Sequence, residues 1–248
     1  MKKRNKKNKL VLLMVIIFIL IFVFLLFFYK KNDKNNNKNN NTAPSTVSYS
    51  LDNIPPYFGE NYLLLYNNKP SFEEKDYQSV SFEYYSDLDN LNRCQSTFAN
   101  IGKDIMPTEK RKGIGKVYPS GWKQAKYDII NGKYLFNRCH LIGYQLTGEN
   151  DNVKNLITCT KKANVNVMLP FENKVADYVE KTNNHVLYRV TPIFNGDNLL
   201  ASGIQIEASS VEDYCKDICF NIYIYNVQDG IEIDYANGNS HLMTTKVS

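Results

Sequence analysis

Histidine is scarce in this chain, with three in 248 residues: His140, His185 and His241. Any chemistry that needs an imidazole therefore has few candidates. Cysteine occurs five times (Cys94, Cys139, Cys159, Cys215, Cys219), too sparsely for a disulfide scaffold, and the odd number leaves at least one thiol free in a monomer. No Cys-x-x-Cys pair is present, which argues against zinc held by Cys139, His140, Cys159, Cys215 and Cys219. A Walker loop, a dinucleotide-binding glycine fingerprint and a Gly-x-Ser-x-Gly elbow are also missing, and no internal repeat suggests a solenoid. Acid is nearly absent from residues 1–48, where ten Lys and Arg face Asp33 alone. The other 200 residues carry 20 basic and 24 acidic side chains, so the net charge of +5 belongs to the N-terminus. Bulk charge thus excludes a generally polyanion-binding body, and a nucleic-acid reading needs a local patch.

Leu10–Tyr29 is an unbroken apolar and aromatic run of 20 residues. As a helix rising ~1.5 Å per residue it matches the ~30 Å hydrocarbon layer. It is longer than the apolar part of a signal peptide and ends in Phe27-Phe28-Tyr29-Lys30-Lys31, without a small-residue cleavage site. Six basic residues precede it, and the basic bias places the N-terminus in the cytoplasm. The expected organisation is a basic cytoplasmic N-terminus (1–9), a transmembrane signal anchor (10–29) in the lipid bilayer and an Asn/Lys-rich tether (30–47). A folded domain outside the cell membrane (48–236) and a flexible tail (237–248) follow.

Within the domain, Asn131-Gly132 marks a turn before a strand that reaches Ile142, and Asn155–Thr160 reads as a second short strand. Lys161–Leu169 is a helix candidate. Pro170–Lys181 is a better one, with Pro at its first position and Phe171, Val175 and Tyr178 on one face. Val186–Val190, Leu199–Ala208, Phe220–Val227 and Ile231–Tyr235 alternate as strands do. This order implies an α+β domain with a central antiparallel sheet.

His241 falls in the expected tail and His185 opens a strand, which leaves His140 beside Arg138 in Asn137-Arg138-Cys139-His140-Leu141-Ile142-Gly143-Tyr144. Lys154-Asn155-Leu156-Ile157, Ala163-Asn164 and Glu172 follow. Read singly, Asn155 is a turn residue, Asn164 a helix-surface residue and Glu172 a first-turn acid favoured by the helix dipole. Taken together, and with Tyr188–Ile193, Gly203–Ala208 and Ile233–Tyr235 downstream, the stretch from Trp122 to Tyr235 resembles the DNA/RNA non-specific endonuclease family. These are sugar-non-specific nucleases of the ββα-metal (His-Me finger) class, and the resemblance is to the branch containing the streptococcal membrane nuclease EndA. Asn137 and Cys139 stand where the family's Asp-Arg-Gly-His pattern has Asp and Gly. The first change removes an acceptor charge, and the second puts an oxidisable side chain beside the site.

The resemblance implies a ββα-metal core and hydrolysis of phosphodiester bonds in DNA and RNA through contacts to the backbone. It implies His140 as general base, Arg138 on phosphate oxygens, and Asn164 as the direct ligand of Mg²⁺, with Mn²⁺ as the alternative ion. Asn155 would position ion or phosphate, and Glu172 would hold metal-bound water. The local patch is at hand: Lys103, Lys110, Arg111, Lys112, Lys116, Lys123 and Lys126 face only Asp104 and Glu109. Bordering His140, it would attract a polyanion. The competing expectation is an anchored receptor that holds DNA without cutting it, for which a base, a ligand and an acid together would be superfluous.

Overall fold

The structure, a computed structural model, describes residues 47–244. The expected anchor Leu10–Tyr29 lies outside the described residues, as do most of the tether and 245–248. No helix among the described residues is long and apolar enough to cross a membrane.

Among the described residues ten strands form in chain order: β1 (Leu63–Leu64), β2 (Phe82–Tyr85), β3 (Thr97–Ile101), β4 (Phe136–His140), β5 (Leu156–Thr160), β6 (Val186–Ile193), β7 (Gly203–Ser210), β8 (Cys219–Tyr225), β9 (Ile231–Asp234) and β10 (Asn239–Leu242). Six of them make the central antiparallel sheet, in the order β1-β8-β7-β6-β3-β2. The α+β expectation agrees with this arrangement. β7 is buried along its whole length, because both faces of the sheet are covered there. Glu207 in β7 is buried against Arg189 (2.8 Å) and accepts from the Ser71 backbone and hydroxyl, so the N-terminal segment covers that face.

The other face meets a separate antiparallel hairpin, β4–β5, and the helix that follows it. Helix α1 (Tyr144–Thr147) is one short turn after β4, and α2 (Leu169–Thr182) is the long one. Lys162–Met168 winds as a wide π-helical segment that runs straight into α2. The sequence suggested two helices, whereas one continuous coil is present, and Pro170 sits in the first α turn, where its missing N–H removes little bonding. Val175 and Val179 of α2 are fully buried on the core side, and Asn183, in a left-handed conformation (φ 57°), ends the helix. Asn226 ties the hairpin to the sheet: its amide accepts from Thr160 N (2.8 Å) and donates to Thr158 O (3.2 Å) and Ala201 O (2.9 Å).

Two further sequence expectations are corrected. Leu199 and Leu200 precede β7 rather than opening it, because Leu200 packs with Ile130, Leu135, Phe136, Ile231 and Ile233 in a second small core. The tail is not free from 237 on: Asn239–Leu242 pairs with β9 across a turn closed by Gly238 (φ 83°), and Tyr127 Oη meets Ser240 Oγ at 2.7 Å. The polar sequence hid the strand, since β10 contributes backbone pairing to the hairpin and little apolar surface.

Candidate active site

His140 ends β4, opposite Leu156, and is buried. Its Nε2 lies 2.7 Å from the carbonyl oxygen of Asn150. A carbonyl only accepts, so Nε2 carries the proton and Nδ1 keeps its lone pair. Burial pushes the imidazole pKa down to about 4. The bond to Asn150 works against that shift, and the Arg111 charge adds to it. His140 is therefore neutral at physiological pH.

Glu172 occupies the inward face of α2, one helical turn before Val175 and two before Val179, where an apolar residue would be ordinary. It is 7% exposed, and its carboxylate makes no hydrogen bond to protein among the described residues. Burial raises its pKa to about 7, with the Arg111 charge pulling the other way.

Asn155 is fully buried, and its amide is spent on the chain. Oδ1 accepts from Ile142 N (2.9 Å) and Nδ2 donates to Ile142 O (3.0 Å). The resemblance suggested that Asn155 positions ion or phosphate. Its contacts instead hold the backbone just after His140. Asn164 lies in the π-helical segment and borders a cavity of about 340 Å³ together with Arg111, Trp122, Tyr134, Asn137 and Arg138. No hydrogen bond from the Asn164 or Asn137 side chain is formed within the described residues. Arg138 stacks 4.1 Å from the Trp122 ring centroid and 5.2 Å from that of Tyr118, and its Nε donates to Val117 O. His140 and Glu172 are not part of the cavity lining. Arg111 connects the two groups, since it borders the cavity and its charge acts on both side chains.

The expected nucleic-acid-binding residues Lys110, Arg111, Lys112, Lys116, Lys123 and Lys126 are all exposed. The loop that carries Lys110–Lys112 is tied beside the His140 turn by Tyr144 Oη, which donates to Glu109 O (2.8 Å). Of the six, Arg111 alone borders the cavity, while Lys123 reaches Asn239 and Lys126 lies over the Tyr134 ring. Cys139 and Cys159 form a disulfide across β4–β5, and Cys215–Cys219 closes a second. Cys94 is free and buried. These pairings remove the thiolates that the zinc alternative required. No group of three or more His, Cys, Asp and Glu among the described residues is placed to hold a metal.

Gly143, Asn150 and Trp122 take part in the site without having been singled out as functional in the sequence. Asn150 and Trp122 meet the site through contacts that residue spacing does not encode.

The model of the DNA/RNA non-specific endonuclease family matches residues 73–212. The chain belongs to that family. It is accordingly an enzyme, a nuclease of the DNA/RNA non-specific type. Among solved structures it resembles NucA from Streptococcus agalactiae with magnesium bound (TM-score 0.68, 24% identity, 78% of this chain and 94% of that one). The metal-free form of NucA is similar (TM-score 0.67, 25% identity, 78% and 92%). So is the Sda1 nuclease with a bound zinc ion (TM-score 0.60, 26% identity, 75% and 97%). A streptococcal nuclease among the matches agrees with the branch suggested by the sequence.

Proposed function

We propose that this endonuclease is a Mg²⁺-dependent phosphodiesterase of DNA and RNA whose general base is His140. The supporting observation is the 2.7 Å contact of the buried imidazole's Nε2 with the Asn150 carbonyl, which leaves Nδ1 without a hydrogen-bond partner among the described residues. Nδ1 takes the proton of the attacking water, and the Asn150 carbonyl holds the ring and stabilises the imidazolium that forms. Arg111 and Arg138 hold phosphate oxygens, Arg138 on a plane already set by Trp122.

The donor set fits a hard divalent cation. Among the described residues Asn164 offers an amide oxygen without a protein partner, and Glu172 a carboxylate without one, both oxygen donors of the kind Mg²⁺ takes while keeping most of its waters. Asn164 would bind it directly and Glu172 would hold its waters. When bound, the ion supplies charge compensation for the phosphate and the departing oxygen. Lone oxygen donors of this kind suit Mg²⁺ or Mn²⁺ better than Zn²⁺. The β4–β5 hairpin followed by the π-helical segment and α2 supports the reading of a ββα-metal core. Incubation of the purified chain with supercoiled circular DNA tests the reading: Mg²⁺-dependent nicking is expected. DNA retention without nicking, with Mg²⁺ or Mn²⁺, would instead mark a binding receptor.

The anchor belongs to the same proposal: Leu10–Tyr29 spans the cell membrane, with the N-terminus inside and the nuclease domain outside. The 20-residue apolar run and its basic N-terminal flank support this. Protease added to intact cells should remove the domain, and complete protection until lysis would reverse the orientation.

A further inference from the structure

The cavity beside Asn164 contains more than phosphate chemistry uses. Arg111 and Arg138 line it together with the ring systems of Trp122 and Tyr134, and Arg138 is stacked on Trp122. Tyr134 is 49% exposed, although its neighbours Leu135 and Phe136 are buried; Lys126 Nζ lies 4.7 Å from its ring centroid, so the ring holds a cation on one face and keeps about half its surface accessible. The wall is rigid, because the Gln124 amide clamps the Phe136 backbone from both sides (2.6 and 3.0 Å). Asn137 borders the same space, and its amide has no hydrogen-bond partner among the described residues. Flat faces, a guanidinium plane and an amide are the groups that recognise an unstacked nucleobase.

Resting on the reading that the scissile phosphate lies by Arg111, Arg138 and Asn164, we infer that this cavity is a nucleobase subsite. It stacks one base next to the cleaved bond against Tyr134 and the Arg138–Trp122 pair, and Asn137 bonds the base edge. A base inside a duplex must leave its stack to enter, whereas one in a single strand is already free. The subsite therefore favours single-stranded DNA and RNA, loops and frayed ends over intact duplex, with little preference among bases, because every base presents a flat face.

The test uses the full chain in detergent and binding in EDTA, so that it does not depend on turnover. Fluorescent single-stranded octamers carry one abasic nucleotide, walked through every position, and affinity is read by anisotropy. At one position the missing base should weaken binding by about tenfold, within the range of one lost stacking contact. Tyr134→Ala should erase that dependence, and Tyr134→Phe should retain it. Equal affinity at every position, or an unchanged profile in Tyr134→Ala, overturns the subsite. Cleavage of the same octamers with Mg²⁺ separates the two readings. A position-dependent binding profile without cleavage supports the subsite and removes the nuclease mechanism, whereas cleavage with a flat profile does the reverse.

Discussion

Gly143 leaves the Glu172 carboxyl group room that any side chain would take. A Cβ at Gly143 would lie 2.7 Å from the Glu172 carboxyl carbon and 2.8 Å from each oxygen. The backbone of Gly143 is ordinary (φ −60°, ψ 144°), so glycine is required there for space and not for conformation. Gly143→Ala should fold, displace the carboxylate and raise the Mg²⁺ concentration needed for half-maximal cleavage. An unchanged metal titration would show that Glu172 does not serve the ion.

Glu172 also links pH to stability. Its folded pKa of about 7 exceeds the ordinary carboxyl value, so the metal-free folded chain binds the proton more tightly than the unfolded one. That contribution is full below about pH 4.5 and is lost as pH rises to about 7, with a ceiling on the order of 3 kcal/mol. His140 has the opposite sign: its depressed pKa favours the fold at neutral pH, and that stability is lost as pH falls from about 6.5 to about 4. Glu172→Gln keeps His140 and removes the carboxyl titration. In chelator-treated protein, denaturant melts should show the Gln variant gaining on wild type between pH 4.5 and 7. Parallel curves would refute the raised pKa.

His140→Ala should lower single-turnover cleavage by ~10²–10⁴-fold, the usual contribution of a positioned base, with little change in the melt. Added imidazole should restore part of the rate. Wild type should keep its base neutral well below pH 6, so the acid limb of its rate profile should follow metal binding and not His140. A folded His140→Ala protein of normal activity removes the mechanism.

Asn155 and Asn164 should behave differently although both are asparagines near one site. Asn155→Ala leaves the Ile142 N–H and C=O unpaired in the core, at roughly 1–3 kcal/mol for each, so stability and activity fall together. Asn164→Ala should leave the melt nearly unchanged and shift or abolish the metal response. Lys110→Glu and Lys112→Glu should flatten the salt dependence of DNA binding without moving the metal titration. If the lysine variants move that titration and Asn164→Ala does not, the ion is misplaced.

Much of this architecture was legible in the chain because the local signals agreed. The Asn131-Gly132 turn, the two short strands and the Phe171, Val175 and Tyr178 face of α2 all match the structure. The continuous coil from Lys162 into α2 was less legible, since a π turn has no sequence period of its own. β10 escaped because its side chains are polar and its stabilisation comes from backbone pairing and the Gly238 turn. For the site, residue order brought His140, Asn164 and Glu172 into view. The direction of their side chains was not encoded there. Asn155 reads as a residue aimed at the ligand until its amide is found closed on Ile142. Arg111 looked like one of many basic loop residues until its charge was found acting on both His140 and Glu172.

The Cys139–Cys159 bond lies within the strand that presents Arg138 and His140, so the covalent completion of that strand depends on the redox state of its surroundings. In a thiol-rich interior the hairpin has only its backbone pairing and packing to hold these two side chains in register. Where thiols oxidise, a cross-strand tether is added, and the loop it closes restricts the unfolded chain. Under the proposed outward orientation, this tether would form after the chain has left the compartment that holds the cell's own nucleic acid.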